Sequence, residues 1–333
     1  MSEPYGSSHN ELKLGDLQTS ERLIEDLYID LRKKVNFWSS ITDQTSQARM
    51  GYVGQHLVSV VTGYRGGKSG ARGKDLKMED DQFSEIKTCY RVDQLGKCKS
   101  CGKTVLPIES SCPTCGSTNI TRNEDSKWLI GIRDENEFRH ILDPKFYYLV
   151  LFDFPQEEKA DYSTIQSSIW RVDSKAPGFS LCMVDYYLNI RTKSKSKAPF
   201  NLWPYLIKFY LMRPVLIYKS LITSNNKINT LKFPGRDDES LEHLPAPEKY
   251  YRSTGLTDTV VRDLASVFNV QSNGNKLQIL NKIYQSKTES GSSEEGFIDT
   301  FAMAFYKQLV EQHYRNLPVE ILRGIPHFRD LSY

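Results

Sequence analysis

Four of the six cysteines fall within eighteen residues, as Cys98-x2-Cys101, ten intervening residues, then Cys112-x2-Cys115. No other feature limits so tightly what this chain can fold into. Each CxxC turn brings two thiolates to one point, and Gly102 and Gly116 directly follow the second cysteine of each pair, where such tight turns need them. In a reducing compartment this crowding favours a metal over disulfides. Four sulfur donors leave no open position on a tetrahedral ion, so the expected occupant is a structural Zn²⁺ on Cys98, Cys101, Cys112 and Cys115. The plain form of this reading is a staple across a long loop between two strands. A sharper form adds nucleic-acid recognition through Lys97, Lys99, Lys103 and Arg122.

The remainder is an ordinary globular composition. With 39% hydrophobic and 26% charged residues, 19 Tyr and 15 Phe in 333 positions, the chain is neither fibrous, nor a disulfide miniprotein, nor wholly disordered. Its 44 Lys and Arg against 41 Asp and Glu give +3. Net charge therefore names no polyanionic partner, and any such case must rest on where the cations sit. No run reaches 18 apolar residues, and MSEPYGSSHNELK lacks the basic-then-apolar pattern of a signal peptide. A soluble cytoplasmic protein without a membrane partner is the expectation.

Periodicity sets the order of elements. Leu23, Leu27, Leu31 and Val35 predict a helix over 21–38 capped by Ser20, and a second helix follows over 45–61. Gly63 to Gly73 contains five glycines with Arg65, Lys68 and Arg72, and must turn. FSEIKTCY (83–90) reads as a strand, and FYYLVLFDF (146–154), nearly all apolar, as a central one. Shorter strands are expected at 127–132 and 168–173, with a helix over 135–142 between them. Tyr205 to Tyr218 is apolar but interrupted by Pro214, and 234–247 is a polar, acidic linker. Helices are expected at 258–268, 275–285 and 297–312.

These elements suggest an arm (1–19), a mixed-sheet core (20–185) carrying the four-cysteine knuckle (98–115), a basic hairpin and linker region (186–250), and a mostly helical C-terminal region (251–333). Within the core, Asp75 precedes Glu85-Ile86-Lys87 by nine residues. On a strand, Glu85 and Lys87 share one face while Ile86 packs on the other. Should Asp75 end the preceding turn, two carboxylates and the Ile86 carbonyl would make a hard oxygen site suited to Mg²⁺, with Lys87 beside it. The competing reading is a salt bridge on a surface strand.

The whole arrangement resembles the core of the PD-(D/E)xK nuclease superfamily: a helix, a glycine-rich turn, Gly73-Lys74-Asp75-Leu76, then Ser84-Glu85-Ile86-Lys87-Thr88. In particular it is similar to type II restriction endonucleases, among them the MamI type. The resemblance spans about residues 45–173. It implies an α/β fold with a central mixed sheet flanked by helices, and Mg²⁺-dependent hydrolysis of double-stranded DNA at a specific sequence to leave 5′-phosphates. Asp75, Glu85 and Lys87 would be catalytic, with Asp75, Glu85 and Ile86 on Mg²⁺. It further implies a homodimer and a cognate DNA methyltransferase protecting the host. Two positions depart from the pattern. Gln55 stands on the leading helix where an acidic residue often assists the metal, and Lys74 stands where the family has Pro.

DNA-backbone contacts are expected from Arg65, Lys68, Arg72 and Lys74, with Lys77 nearby, because glycines among them let the chain approach a phosphate closely. Extended, the run 190–197 would place Arg191, Lys193, Lys195 and Lys197 on one side. Asp258 to Ile283, under thirty residues, resembles a small SAP-type DNA-binding hairpin, and an ordinary helical hairpin is the favoured reading. Trp170-Arg171-Val172-Asp173 reads as core plus a salt bridge, and Cys89 and Cys182 as buried thiols. Two alternatives stand beside the restriction-enzyme reading: a non-catalytic zinc-knuckle nucleic-acid binder, and a structure-specific repair or junction nuclease.

Overall fold

The computed structural model describes residues 12–42, 44, 51–67, 74–90, 92, 95–105, 109–121, 128–155, 164–193, 200–202, 207–235, 255–290 and 294–316. In chain order the first strands are β1 (Arg65–Gly66), β2 (Leu76–Lys77), β3 (Phe83–Tyr90), β4 (Gly96–Cys98), β5 (Thr104–Val105) and β6 (Ile120–Thr121). They are followed by β7 (Trp128–Ile130), β8 (Phe146–Asp153), β9 (Ile165–Asp173), β10 (Phe200–Leu202), β11 (Val215–Ile222) and β12 (Ile228–Lys232). Two compact units result. One comprises Met1–Ser126, Phe146–Arg171 and Val215–Ser240; the other comprises Lys127–Lys145, Val172–Pro214 and Leu241–Tyr333.

The first unit is built on a seven-stranded mixed sheet of order β1-β2-β3-β8-β9-β11-β12. β3 and β8 run parallel, with Glu85 beside Tyr147 and Tyr90 beside Phe152, whereas β1–β2, β2–β3, β9–β11 and β11–β12 are antiparallel. A parallel pair needs a long crossover, and the four-cysteine segment lies in the one between β3 and β8. β8 is buried at every position after Phe146, as its apolar run requires. One face of the sheet carries Leu76, Ile86, Tyr148, Val150 and Phe152, packed in a single core with Ile24, Tyr28, Leu57, Val58 and Val61 of two helices.

The first of these helices is longer than the spacing suggests. It runs α1 (Leu17–Ile24), a π-helical stretch Glu25–Asp30, then α2 (Leu31–Thr42). Asp16, not Ser20, caps it: the Asp16 carboxylate accepts from Thr19 N–H at 2.8 Å, while the buried Ser20 hydroxyl donates to the Leu17 carbonyl. The π-helical stretch alters the 3.6-residue spacing and so hides the true length. The second helix is α3 (Gly51–Thr62); the expected residues 45–50 lie outside the described residues.

The sheet also extends past residue 185, into the stretch read as a basic hairpin and linker region. β11 and β12 form a hairpin on its far side. Pro214 obscured this, because it reads as a break in an apolar helix when it stands just before the first residue of a strand, where Pro is tolerated.

The second unit is largely helical. It contains α4 (Glu135–Arg139), α5 (Pro177–Asp185) continuing as a π-helical stretch to Arg191, and α6 (Ile207–Leu211). α7 (Asp258–Val267), α8 (Lys276–Ser290) and α9 (Glu294–His313) then match the three expected helices. β7 and β10 pair separately. Asp185 ties three helices together, accepting from Lys208 of α6 and lying 3.0 Å from His313 of α9. Burial alone would raise its carboxyl, but Lys208, Asn189 and His313 outweigh it and hold the group below the ordinary value. Among the described residues no helix is long and apolar enough to cross a membrane.

Candidate active site and metal centre

β2 pairs with β3 only at Leu76–Ser84 and Lys77–Phe83. One step further, Asp75 stands opposite Glu85, and the ladder stops. The Asp75 side chain takes over where the backbone leaves off: Ile86 N–H donates to Asp75 Oδ2 at 2.9 Å. Residues that bond across an antiparallel ladder turn N–H and C=O to the same side, so the Ile86 carbonyl faces the Asp75 edge too. Gln55 Nε2 of α3 donates to Asp75 Oδ1 at 3.3 Å. Glu85 Oε1 and Lys87 Nζ form an ion pair on the opposite sheet face from Ile86, with side chains 14% and 26% exposed. Gln55, Asp75 and the Ile86 amide therefore meet at one strand end, and the Glu85–Lys87 pair lies on the other face of the same strand, in register beside Asp75.

Two glycines make that meeting possible: Gly54 did not stand out in the sequence, and Gly67 did so only as one of the five in 63–73. A β-carbon on Gly54 would lie 2.1 Å from Thr88 Oγ1, so glycine is what lets α3 approach β3 closely enough for Gln55 to reach Asp75. Gly67 N–H donates to the Asp75 carbonyl at 2.9 Å, and a β-carbon there would lie 1.9 Å from the Lys74 carbonyl oxygen. The available signal was Gly54 itself, since glycine inside a helix costs about 1 kcal/mol and calls for a packing reason.

Cations gather around this edge. Arg65 of β1 sits directly opposite Lys77 of β2, and both are exposed. Like charges so placed repel by roughly 0.2–1 kcal/mol. Lys77 also reaches Asp81 at 3.3 Å, and Lys74 Nζ lies 4.6 Å from the centre of the Phe83 ring. Lys68, Arg72 and Lys195 lie outside the described residues.

Elsewhere, several basic side chains have protein partners. Residues 190–193 are not extended: Arg191 is in the π-helical stretch and donates to the carbonyls of Ile132 and Arg133 at 2.9 and 2.8 Å, and Lys193 donates to Asn189 Oδ1 at 3.0 Å. In the SAP-like hairpin, Arg262, Lys276 and Lys282 donate to the carbonyls of Ser272, Leu256 and Asn273. They hold the hairpin's own loops, which is the ordinary-hairpin reading. Trp170 is buried, Arg171 lies over the Phe146 ring and Asp173 accepts from Lys175 N–H, so that segment is core and turn. Cys89 and Cys182 are buried, and burial pushes the Cys182 thiol up to about 12.

The four clustered cysteines form a second centre. Their sulfurs all lie within 4.8 Å of one another, with Cys98–Cys115 at 3.6 Å and Cys101–Cys112 at 3.5 Å. None of the six cysteines forms a disulfide. A tetrahedron with 2.3 Å metal–sulfur bonds has edges of about 3.8 Å, so the set could hold one metal ion. The two turns repeat each other. Gly102 N–H donates to the Cys98 carbonyl and Gly116 N–H to the Cys112 carbonyl, at 2.9 and 2.8 Å. Both glycines have φ near +70° (+74° and +70°). Cys98 N–H and Cys112 N–H donate to the carbonyls of Lys103 and Ser117, each at 2.9 Å. The Cys101 backbone amide draws the Cys98 thiol down to about 6, whereas Cys115 stands at about 12: its sulfur neighbours Cys101 and Cys98 outweigh the Ser117 amide.

No curated protein and no solved structure matches the chain. A family model does, that of the MamI restriction endonuclease, and it matches residues 37–248. That span holds the whole strand-end cluster, the four cysteines and the sheet from β1 to β12. It is well over half of the sequence, and the chain belongs to the MamI restriction endonuclease family.

Proposed function

We propose that the protein is a Mg²⁺-dependent, sequence-specific endonuclease of double-stranded DNA, with its catalytic centre at the end of β2. The observation that carries this reading is Asp75 bonded to the Ile86 amide where the ladder stops, one register step on from Leu76–Ser84 and so across from Glu85. Two carboxylates and a carbonyl are the donors a hard, oxygen-seeking cation takes. Bound there, Mg²⁺ supplies positive charge for the phosphate and acidifies water. Asp75, Glu85 and the Ile86 carbonyl would hold the ion, with Gln55 bonded to Asp75 Oδ1 to orient that carboxylate. Lys87 leaves Glu85 for the substrate, orients the attacking water and offsets charge growing on the phosphate oxygens. The bond from phosphorus to the 3′ oxygen breaks, leaving a 5′-phosphate and a 3′-hydroxyl.

The opposed Arg65 and Lys77 favour the same substrate, because a phosphate between them converts a repulsion into two attractions. Lys74 extends that basic rim, and Lys68 and Arg72 lie between Gly67 and Lys74 in sequence. Zn²⁺ is the ion that best suits four thiolates with no vacant ligand position, and its role is structural. One such centre per chain cuts one strand, so a homodimer serves a duplex. Paired with a DNA methyltransferase that marks the host's own sites, it acts as one half of a restriction–modification system.

Incubating the protein with phage DNA should give discrete fragments in Mg²⁺ and none in EDTA, with ends that ligate without prior phosphorylation. Cutting confined to branched DNA would place the same centre in a junction nuclease instead.

A further inference from the structure

Beyond Asp75 the side of β3 that faced β2 is open: among the described residues no strand pairs with Ile86 to Tyr90 there. α3 lies along this stretch, with Thr88 Oγ1 donating to the Gly51 carbonyl at 3.3 Å and Gly54 against Thr88. Its outward side carries Tyr52, three residues before Gln55 and so on the same side of the helix. Tyr52 is 68% exposed, a large aromatic ring left in water one helical turn before the residue that reaches Asp75. Three residues of helix displace it by about 4.5 Å along the axis from Gln55, and its side chain leans further toward the N-terminus. With a DNA strand laid along the open edge of β3, that offset would carry the phenol past the cleaved group to a neighbouring one.

We propose that Tyr52 is a substrate-positioning residue whose phenol O–H donates to an oxygen of a phosphate neighbouring the scissile one. The inference rests on the active-site reading above and adds to it a contact of a different kind from those of the basic rim. A tyrosine is neutral. It fixes the register of the backbone by a directional hydrogen bond, and no counterion leaves the DNA when that bond forms. Its loss therefore differs from the loss of a lysine, which lowers both affinity and salt dependence. A hydrogen bond made equally to bound substrate and transition state affects KM and leaves kcat alone.

The test compares wild type, Tyr52→Phe, Lys74→Ala and Glu85→Ala on one duplex bearing the cleavage site. Affinity is measured in Ca²⁺ across a range of salt, and steady-state cleavage in Mg²⁺. Tyr52→Phe removes one exposed hydroxyl and should leave the fold intact, which its melting curve checks. Its Kd and KM should rise about 5-fold, the size of one hydrogen bond, with kcat within about 2-fold and the salt slope equal to wild type. Lys74→Ala should flatten that slope. If Glu85→Ala is dead while Tyr52→Phe binds and cuts as wild type does, the inference about Tyr52 falls and the active site stands. A flattened salt slope in Tyr52→Phe also overturns it, since a neutral donor cannot cause one. Should Glu85→Ala cut like wild type, the active-site reading fails and Tyr52 goes with it.

Discussion

Asp75 holds two groups at once, the Ile86 amide on one oxygen and the Gln55 amide on the other. The two uses can be separated by substitution. Asn keeps an oxygen for Ile86 N–H but no charge for a cation, whereas Ala leaves the amide unpartnered at a cost of about 1–3 kcal/mol. Asp75→Asn should therefore melt within about 2 °C of wild type yet cut about 10³-fold more slowly, and Asp75→Ala should lose both stability and cutting. A calorimetric melt and a cleavage time course on each check this; an active Asp75→Asn would reduce the carboxylate to a ladder cap. The residues at this point were legible because chemistry picks them out: carboxylates and a lysine two apart on a strand, cysteines in paired CxxC turns. Gly54 and Gly67 were not, because a glycine declares only that a side chain is missing. What fills the space, Thr88 in one case and the Lys74 carbonyl in the other, is known only once distant segments meet.

At the scale of elements, the four-cysteine segment is too small to fold on its own burial. Its apolar cluster is Val105, Ile120 and two cysteine side chains. Burying such groups contributes about 1.5–3 kcal/mol each, against about 1–2 kcal/mol for ordering each of its twenty-odd residues. A metal ion on the four thiolates would supply the difference. Protein purified without added zinc should contain one Zn²⁺ per chain by elemental analysis, and a strong chelator or Cys98→Ser should unfold the segment. A metal content near zero would contradict this. The edge of the main sheet makes an opposite prediction. Arg65 faces Lys77, so Arg65→Thr should leave the melting temperature unchanged or slightly raised while weakening DNA binding and lowering its salt slope by about 0.9. Lower stability with unaltered binding would mean that Arg65 serves the fold. The long helices and strands β3, β7, β8 and β9 could be read from periodicity; the other two- and three-residue strands, α5, α6 and the β11–β12 hairpin could not, and two of the misreadings have local causes. A π-helical stretch broke the spacing of the first helix, and Pro214 concealed the strand beginning at Val215.

In the molecule as a whole, function cannot be read from total charge. A net of +3 on 333 residues would suit almost any soluble protein. What distinguishes the chain is where opposite charges are kept: cations on the outer strands of one sheet, and carboxylates where the ladder between β2 and β3 ends. The far half of that sheet, β11 and β12, lies more than 120 residues beyond Lys87 in sequence, and only folding brings it into the same layer. The central claim is that this strand end is a metal-dependent phosphodiester hydrolysis site. Its most direct test is Glu85→Ala, assayed on phage DNA in Mg²⁺ beside wild type, with a gel shift in Ca²⁺. Wild type should give discrete fragments and Glu85→Ala should give none, a loss of about 10³-fold or more, while both shift the DNA in Ca²⁺. A folded Glu85→Ala that cuts at the wild-type rate would make Glu85 and Lys87 a surface salt bridge, and the catalytic centre would lie elsewhere.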